Sequence, residues 1–178
     1  MKFYRVCQKQ YSPGDRVWEN IFNPPKPSKQ HNLALFRSLI ASGDQNALNN
    51  AMSLPDDLRI ASSEAAKEAA LEIIREAEFP GLPSRLSSLM AFASKKDLEK
   101  FRSVYRPAET EYYILEYPDE LQTHHADMKT IDDLADIFIS SLLEMARRYW
   151  SGVATGDPLW ETILASDNSV VLSRENFI

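Results

Sequence analysis

The segment from Phe79 to Phe92 constrains the fold most, because it ends one element and begins another within a few residues. Pro80, Gly81 and Pro83 follow a helical pattern directly. A helix does not continue through such a group, so the chain must turn sharply. The residues after the turn alternate with a period of two, which predicts a strand. Its predicted faces are Leu86, Ser88, Met90 and Phe92 on one side and Arg85, Ser87, Leu89 and Ala91 on the other.

This predicted strand begins with polar side chains, namely Ser84, Arg85, Ser87 and Ser88. One interpretation is a strand entrance that faces water. The other is a rim that faces a ligand, with the arginine binding an anionic group and the hydroxyls binding a polar one. The alternation of the segment leaves both interpretations open.

Length and charge limit the classes of protein to consider. With 178 residues, 26% of them charged and 44% hydrophobic, the chain is expected to form one domain over residues 1–178. A net charge of −6 argues against a protein that coats nucleic acid, although a local basic groove is compatible with it. The single Cys7 excludes an internal disulfide framework. Since no apolar run reaches membrane-spanning length, we expect a cytoplasmic protein without a membrane partner.

Local patterns predict strands that are interleaved with helices of unequal length, which indicates an α+β fold. The predicted strands are 3–7, 84–92, 111–117, 160–165 and 170–173, the last two forming a hairpin around the turn 166–169. The predicted helices are 31–43, 44–52, 63–78, 94–105 and 130–150, with Ser94 and Thr130 as caps. Residues 11–29 are expected to be a loop.

Two groups of polar residues receive ordinary interpretations. The charges from Glu68 to Glu78 are expected to form a solvated helix face. His124 and His125 are expected in a loop, where adjacent side chains point apart, so we predict no metal site. The five glycines form no phosphate-binding loop, which argues against kinase, P-loop and Rossmann folds. The nucleophile-elbow motif is absent from the sequence as well.

Three polar positions remain, each on or beside a predicted strand: Arg5, the pair Ser87 and Ser88, and Glu161. Their order resembles the arginine–serine–glutamate pattern of the ADP-ribosyltransferase fold, in which the three residues come from separate strands that line one NAD cleft. The Pro-Ser-Arg-Leu-Ser-Ser segment also resembles a signature of a small bacterial and phage family. The resemblance implies an ADP-ribosyltransferase-like split sheet, mixed or antiparallel, with flanking helices.

The resemblance also implies roles for individual residues, with NAD as the co-substrate. Glu161, Arg5 and Ser88 would be catalytic: the glutamate would stabilise positive charge on the ribose, and the arginine would hold phosphates or ribose. Ser87 or Ser88 would orient the ribose on the nicotinamide side. The full set expected to bind NAD is Arg5, Arg85, Ser87, Ser88, Tyr4 and Trp160.

The implied activity is NAD-dependent ADP-ribosylation by a toxin or anti-phage effector, with an antitoxin protein as a further expected partner. The acceptor would be a nucleic acid or a protein. Leu159 stands where related enzymes often carry a second acid or a glutamine, which makes arginine modification less favoured. The alternatives are NAD hydrolysis, 2′-phosphate transfer from RNA, or a binding or regulatory module without turnover.

Overall fold

The computed structural model describes residues 1–7, 10–17, 27–53, 56–134, 136–165 and 169–177. These residues form helices and antiparallel sheets, so the predicted α+β class is confirmed. The strands are β1 (Lys2–Arg5), β2 (Arg16–Val17), β3 (Leu89–Ala91), β4 (Glu111–Glu116), β5 (Thr123–Asp127), β6 (Trp160–Leu164) and β7 (Ser169–Asn176). The helices are α1 (Pro27–Ser42), α2 (Gln45–Met52), α3 (Asp56–Glu78), α4 (Lys95–Tyr105), α5 (Lys129–Asp132) and α6 (Ile139–Trp150).

The strands form two sheets, with the orders β1-β4-β7-β2 and β3-β6-β5. A bridge between Tyr4 and Phe92 joins them through two backbone hydrogen bonds of 2.8 Å. Strands β1, β3 and β6 are therefore successive neighbours, and any side chains that they carry on one face lie close together.

The three-stranded sheet is covered on both faces along its central strand β6, whereas His125 on the edge strand β5 is exposed. Leu89, Ala91 and Leu164 pack against Phe3 and other apolar side chains of the four-stranded sheet. The opposite face carries Ala126, which packs in a second cluster with residues of α3 and α6. This second face, between sheet and helices, is the one on which Glu161 lies, since Glu161 is the register partner of Ala126.

Several predicted helix boundaries agree with the structure. The Ser94 hydroxyl accepts a hydrogen bond from the Asp97 amide at 3.0 Å and caps α4. Gly152 follows α6 with a φ of +70°, a conformation that glycine adopts without steric cost. Helix α3 begins earlier than the predicted helix, at Asp56. None of the helices in the described ranges is long and apolar enough to cross a membrane.

Two predictions about strands were wrong. Of the strand predicted over 84–92, only Leu89–Ala91 is a strand in the structure. The residues before it form turns, in which the Ser87 amide donates a hydrogen bond to the Ser84 carbonyl at 3.3 Å. The predicted hairpin does not form either, because both edges of β6 pair with β3 and β5 while β7 pairs with β4 and β2. Residues 166–168 of its predicted turn lie outside the described part of the chain.

Three further predictions were wrong. His124 and His125 belong to β5 rather than a loop, because their backbones pair with Ile163 and Thr162 of β6. The predicted helix over 130–150 is two helices, and Thr130 lies inside α5 instead of capping it. The predicted loop over 11–29 contains β2, which pairs with β7, and it meets the start of α1 at Pro27.

Candidate functional site

Four polar side chains from four different segments meet inside the protein, and we call them the buried charge cluster: Glu68, Arg85, Tyr149 and Glu161. Glu68 belongs to α3, Tyr149 to α6 and Glu161 to β6, while Arg85 comes from the turns before β3. Their exposed fractions are 6%, 5%, 0% and 1% in the order Glu68, Arg85, Tyr149, Glu161. Charged groups so deep in a protein are retained only when they are paired.

Arg85 is the centre of the cluster because its guanidinium contacts both acids. Nε lies 3.2 and 3.1 Å from the two carboxylate oxygens of Glu68, and Nη2 lies 3.0 Å from Oε1 of the same residue. Nη1 faces the other way and donates to Oε1 of Glu161. This forked arrangement uses the fixed geometry of the guanidinium on two carboxylates at once.

Tyr149 links Arg85 to Glu161. Its hydroxyl accepts a hydrogen bond from Nη1 of Arg85 at 2.5 Å and donates one to Oε1 of Glu161 at 2.7 Å. The guanidinium carbon of Arg85 also lies 5.0 Å from the centre of the Tyr149 ring. Both hydrogen bonds to Glu161 end on Oε1, so Oε2 is the oxygen that these two donors leave open.

The cluster contains one fixed positive charge and two acids, which sets the protonation of its members. Burial raises the pKa of Glu161 above its ordinary value, and this outweighs the lowering by the Arg85 guanidinium and the Tyr149 hydroxyl. Burial lowers the pKa of Arg85, but the Glu161 and Glu68 carboxylates raise it further, so the guanidinium stays charged. When both acids are ionised, the cluster carries one surplus negative charge.

The turns between Phe79 and Ser88 place Arg85 in this position. The Ser84 hydroxyl donates to Oε2 of Glu72 at 2.9 Å, and Nη1 of Arg75 donates to the Leu82 carbonyl at 3.2 Å. These contacts fasten the turns to α3 on both sides of Pro83. Arg85 therefore enters the interior beside Glu68, one helical turn before Glu72.

The prediction of a solvated face from Glu68 to Glu78 was wrong for its first turn. Glu68 and Glu72 are 6% and 4% exposed, because the arginines of the same region neutralise them inside the protein. Within this run, the exposed acids are Glu76 and Glu78 at the end of the helix.

Arg5 does not join Glu161. It shares its strand face with Phe3, which packs between the two sheets, whereas Glu161 faces the helices. The guanidinium of Arg5 donates to the Met90 carbonyl, and its Nε lies 3.1 Å from Sγ of Cys7. The structure thus brings Arg85 to Glu161 and places Arg5 on the opposite face of the three-stranded sheet.

The remaining sequence-predicted residues are dispersed. Ser87 is exposed, whereas Ser88 is 2% exposed and its hydroxyl has no hydrogen-bond partner among the described residues. Tyr4 packs with Tyr112, their ring centres 6.2 Å apart. Trp160 lies on the face of β6 opposite Glu161, because neighbouring residues of a strand point to opposite faces.

Glu68, like Tyr149, is a cluster member outside the set of residues expected to bind NAD. It stands between two pairs of alanines, Ala65-Ala66 and Ala69-Ala70, and all four are buried. A glutamate flanked by small residues on a helix is the signal that could have marked it as buried, because alanines allow close packing. In the described ranges, no group of three or more histidine, cysteine or acidic residues is placed to hold a metal ion.

Comparison with known proteins places the chain in one family. The sequence model described as "Protein of unknown function (DUF2441)" matches residues 26–176. The match covers most of the chain, includes all four residues of the buried charge cluster and excludes Arg5 and Tyr4. No curated protein matches the sequence.

Proposed function

The chain belongs to the DUF2441 family, and we propose that it is an NAD-dependent ADP-ribosyltransferase whose central residue is Glu161. The placement of the strands supports the proposal. Arg5 lies on β1, Ser88 directly precedes β3 and Glu161 lies on β6, and these three strands are neighbours. The resemblance described above requires three separate strands and also one shared cleft, which Arg5 does not line, because it lies on the opposite face of the three-stranded sheet from Glu161.

The observation that carries the proposal is the buried carboxyl of Glu161, which shares a single arginine, Arg85, with a second acid, Glu68. Breaking the bond between nicotinamide and ribose sends the bonding electron pair to nicotinamide and leaves positive charge on the sugar. A preorganised carboxylate in a dry site stabilises that charge far more than it stabilises the uncharged sugar. Arg85 holds Oε1 of Glu161, and the open Oε2 is the atom available to the ribose.

Two serines and two arginines take revised roles in this proposal. The unpartnered Ser88 hydroxyl is available to a ligand group, whereas Ser87 faces solvent. Arg5 acts as a positioning residue, because its guanidinium binds the Met90 carbonyl and so ties β1 to β3, the neighbour of β6. Arg85 replaces Arg5 as the arginine that contacts Glu161.

Access to Glu161 is a condition of the proposal. The side chain exposes 1% of its surface, so the side chains that cover it must move when NAD binds. Tyr149, at the end of α6, provides one part of this cover and is bonded to the same oxygen as Arg85.

The test is nicotinamide release from NAD by the parent protein, Glu161→Gln and Glu99→Gln, an exposed control on α4. We expect Glu161→Gln to lower the rate on the order of a hundredfold or more, with NAD affinity largely kept, because the amide removes only the charge. Glu99→Gln should match the parent. Equal turnover by Glu161→Gln and the parent would remove Glu161 from the mechanism.

A second candidate is a binding or regulatory module without turnover, and the burial of Glu161 favours it. A carboxylate that is 1% exposed and bonded to Arg85 also fits a purely structural role. Labelled NAD incubated with the protein and lysate separates the possibilities. Label on material sensitive to nuclease or protease supports transfer to that acceptor, free ADP-ribose supports hydrolysis, and unchanged NAD without measurable binding supports the module.

A further inference from the structure

His124 is a titratable residue beside the buried charge cluster that the proposed function leaves without a role. It shares a face of β5 with Ala126, the register partner of Glu161, so its side chain lies on the helix side of the three-stranded sheet. There its ring packs against the last two residues of α6. The ring centres of His124 and Tyr149 lie 6.2 Å apart, and those of His124 and Trp150 lie 5.2 Å apart. The histidine therefore joins β5 to the end of α6.

The surroundings of one ring nitrogen suit only the neutral form of His124. Nε2 is buried and has no hydrogen-bond partner among the described residues. In the neutral ring this nitrogen can be an acceptor, whereas in the charged ring it carries a proton and becomes a donor. A buried donor without an acceptor costs stability, so protonation of the ring is unfavourable in this position.

Burial and neighbouring charges favour the neutral ring as well. Burial lowers the pKa of His124 below its ordinary value of 6.5, and His125 and Arg85 lower it further. A hydrogen bond with the Tyr149 backbone raises the pKa but does not outweigh the burial. The titratable groups on the neighbouring elements are Arg85 before β3, Tyr149 of α6, Glu161 of β6, Glu68 of α3 and His125 of β5. Both of these acids are bonded to Arg85.

The end of α6 is held between α3 and β5. Nε1 of Trp150 donates to the Leu71 carbonyl at 2.7 Å, which fastens the helix to α3. Gly152, just after the helix, lies so close to β5 that a side chain added there would contact the His125 carbonyl at 3.7 Å. His124 packs against the same end of the helix, so displacement of its ring would remove packing between β5 and the last turn of α6.

We propose that His124 is an acid-sensitive contact, which releases the end of α6 from β5 when its ring becomes charged. The charged ring has a donor at Nε2 without an acceptor and is repelled by Arg85. His124 is only half-buried, so the ring can reach water by leaving Tyr149 and Trp150.

The direction of the pH dependence follows from the lowered pKa of His124. Between the pKa in the folded protein and 6.5, the unfolded state binds more protons than the folded state. The stabilisation by the neutral ring is therefore fully present above pH 6.5 and is lost as the pH falls through the pKa of His124 in the folded protein. The inference does not depend on the activity proposed for Glu161.

The first experiment follows the His124 ring by NMR while the pH is lowered. The sequence contains three histidines, so a protein with His31→Gln and His125→Gln keeps His124 as its only histidine. We expect the ring to titrate below pH 6.5, and we expect the Trp150 ring signals to change with the same midpoint, because the two rings are in contact. A midpoint at or above 6.5, or Trp150 signals that do not follow the titration, would overturn the proposal.

The second experiment measures hydrogen exchange of the Trp150 indole N–H at pH 7 and pH 5, corrected for the intrinsic effect of pH on exchange. We expect the corrected rate in the parent protein to rise about tenfold or more on acidification, because the bond to the Leu71 carbonyl opens locally. His125→Gln replaces the exposed histidine next in the chain and should behave like the parent. His124→Phe and His124→Gln stay neutral and should show no such rise.

Two results of the exchange experiment would overturn the proposal. A rise of the same size in the His124 variants would assign the opening to another group, such as Glu161. An equal rise at the amide of Leu98, which lies on α4 in a different apolar cluster, would show that acid opens the whole molecule and not the end of α6.

Discussion

Helix α3 carries two buried glutamates one turn apart, each bonded to an arginine, and the two pairs differ in charge balance. At the outer pair, Oε1 of Glu72 accepts from Nε and Nη2 of Arg75 at 3.0 and 2.6 Å, while its Oε2 accepts from the Ser84 hydroxyl. Arg75 also lies 3.9 Å from Glu76, which Arg37 pairs at 2.6 Å, so two cations meet two anions there. At the inner pair, Arg85 is shared between Glu68 and a second acid, Glu161.

The two pairs also differ in exposure. The side chain of Arg75 is 14% exposed, and that of Arg85 is 6% exposed. Water at the outer site could screen an imbalance, yet the charges there are balanced. The imbalance occurs in the dry interior, where it costs most. Sequences depart from favourable burial mainly at functional sites, and this contrast directs attention to Glu161.

Replacement of the shared arginine should have the largest effect. Arg85→Met leaves two buried carboxylates without their cation, so the free energy of unfolding at neutral pH should fall by about 3–5 kcal/mol. Denaturant unfolding measures the change. Arg147→Met is the matched control, because Arg147 and Glu78 form an ion pair with side chains 46% and 39% exposed, and such pairs contribute about 0–1 kcal/mol.

A double variant determines whether charge imbalance causes the loss of stability expected in Arg85→Met. Adding Glu161→Gln to Arg85→Met removes one of the two stranded carboxylates, so the double variant should be more stable than Arg85→Met alone. If it is less stable, the loss in Arg85→Met comes from packing of the long side chain, and the two pairs on α3 do not differ in the way described above.

The outer pair should respond less to a comparable deletion. Ser84→Ala removes one hydrogen bond to Glu72 and leaves the Arg75 ion pair intact, so the loss should be about 0.5–1.5 kcal/mol. The measurement is again denaturant unfolding. A loss as large as that of Arg85→Met would show that the turn, and not the charge of the inner pair, dominates this part of the molecule.

Local sequence signals were sufficient for most of the fold. The cap at Ser94, the end of α6 at Gly152 and the strand at 111–116 depend on neighbouring residues, and the structure has all three. The pairing of β6 and β7 depends on distant strands, and the expected hairpin was wrong. Proximity in sequence favours a hairpin, but here β5 and β3 occupy both edges of β6.

For the candidate site, too, the features that depend on nearby residues could be predicted and those that depend on distant segments could not. Glu161 and Arg85 could be singled out as polar residues beside apolar strands, whereas their mutual contact joins segments far apart in the sequence. Arg5 was expected beside Glu161 because both lie on strands, but which face of a sheet a side chain takes depends on register. Glu68 was assigned to solvent because its charge pattern is typical of an exposed helix.

The last prediction concerns the pH dependence of Glu161, which should affect stability and activity in opposite directions. Its pKa in the folded protein is raised above the ordinary value of 4.5, so the folded state binds more protons than the unfolded state between those two values. The stabilisation that Glu161 contributes to the free energy of unfolding is therefore fully present below pH 4.5, and it is lost as the pH rises through the pKa of Glu161 in the folded protein. Stabilisation of a cationic sugar needs the ionised form, so nicotinamide release should rise over the same interval.

Glu161→Gln tests the pH dependence of stability and the pH dependence of nicotinamide release with one substitution. The amide stays neutral at every pH, and Glu68 still balances Arg85, so the change in stability at neutral pH should be the smallest of the series. The free energy of unfolding of the variant, measured from pH 4 to 8, should lack the contribution that declines with pH in the parent protein. Its nicotinamide release should stay low over the same range. Glu68, Arg85 and Tyr149 are the titratable groups bonded within the cluster, and the variant leaves all three in place. A Glu161→Gln protein that keeps the parent's declining stability would assign that slope to another acid, because the amide at residue 161 has no proton to lose.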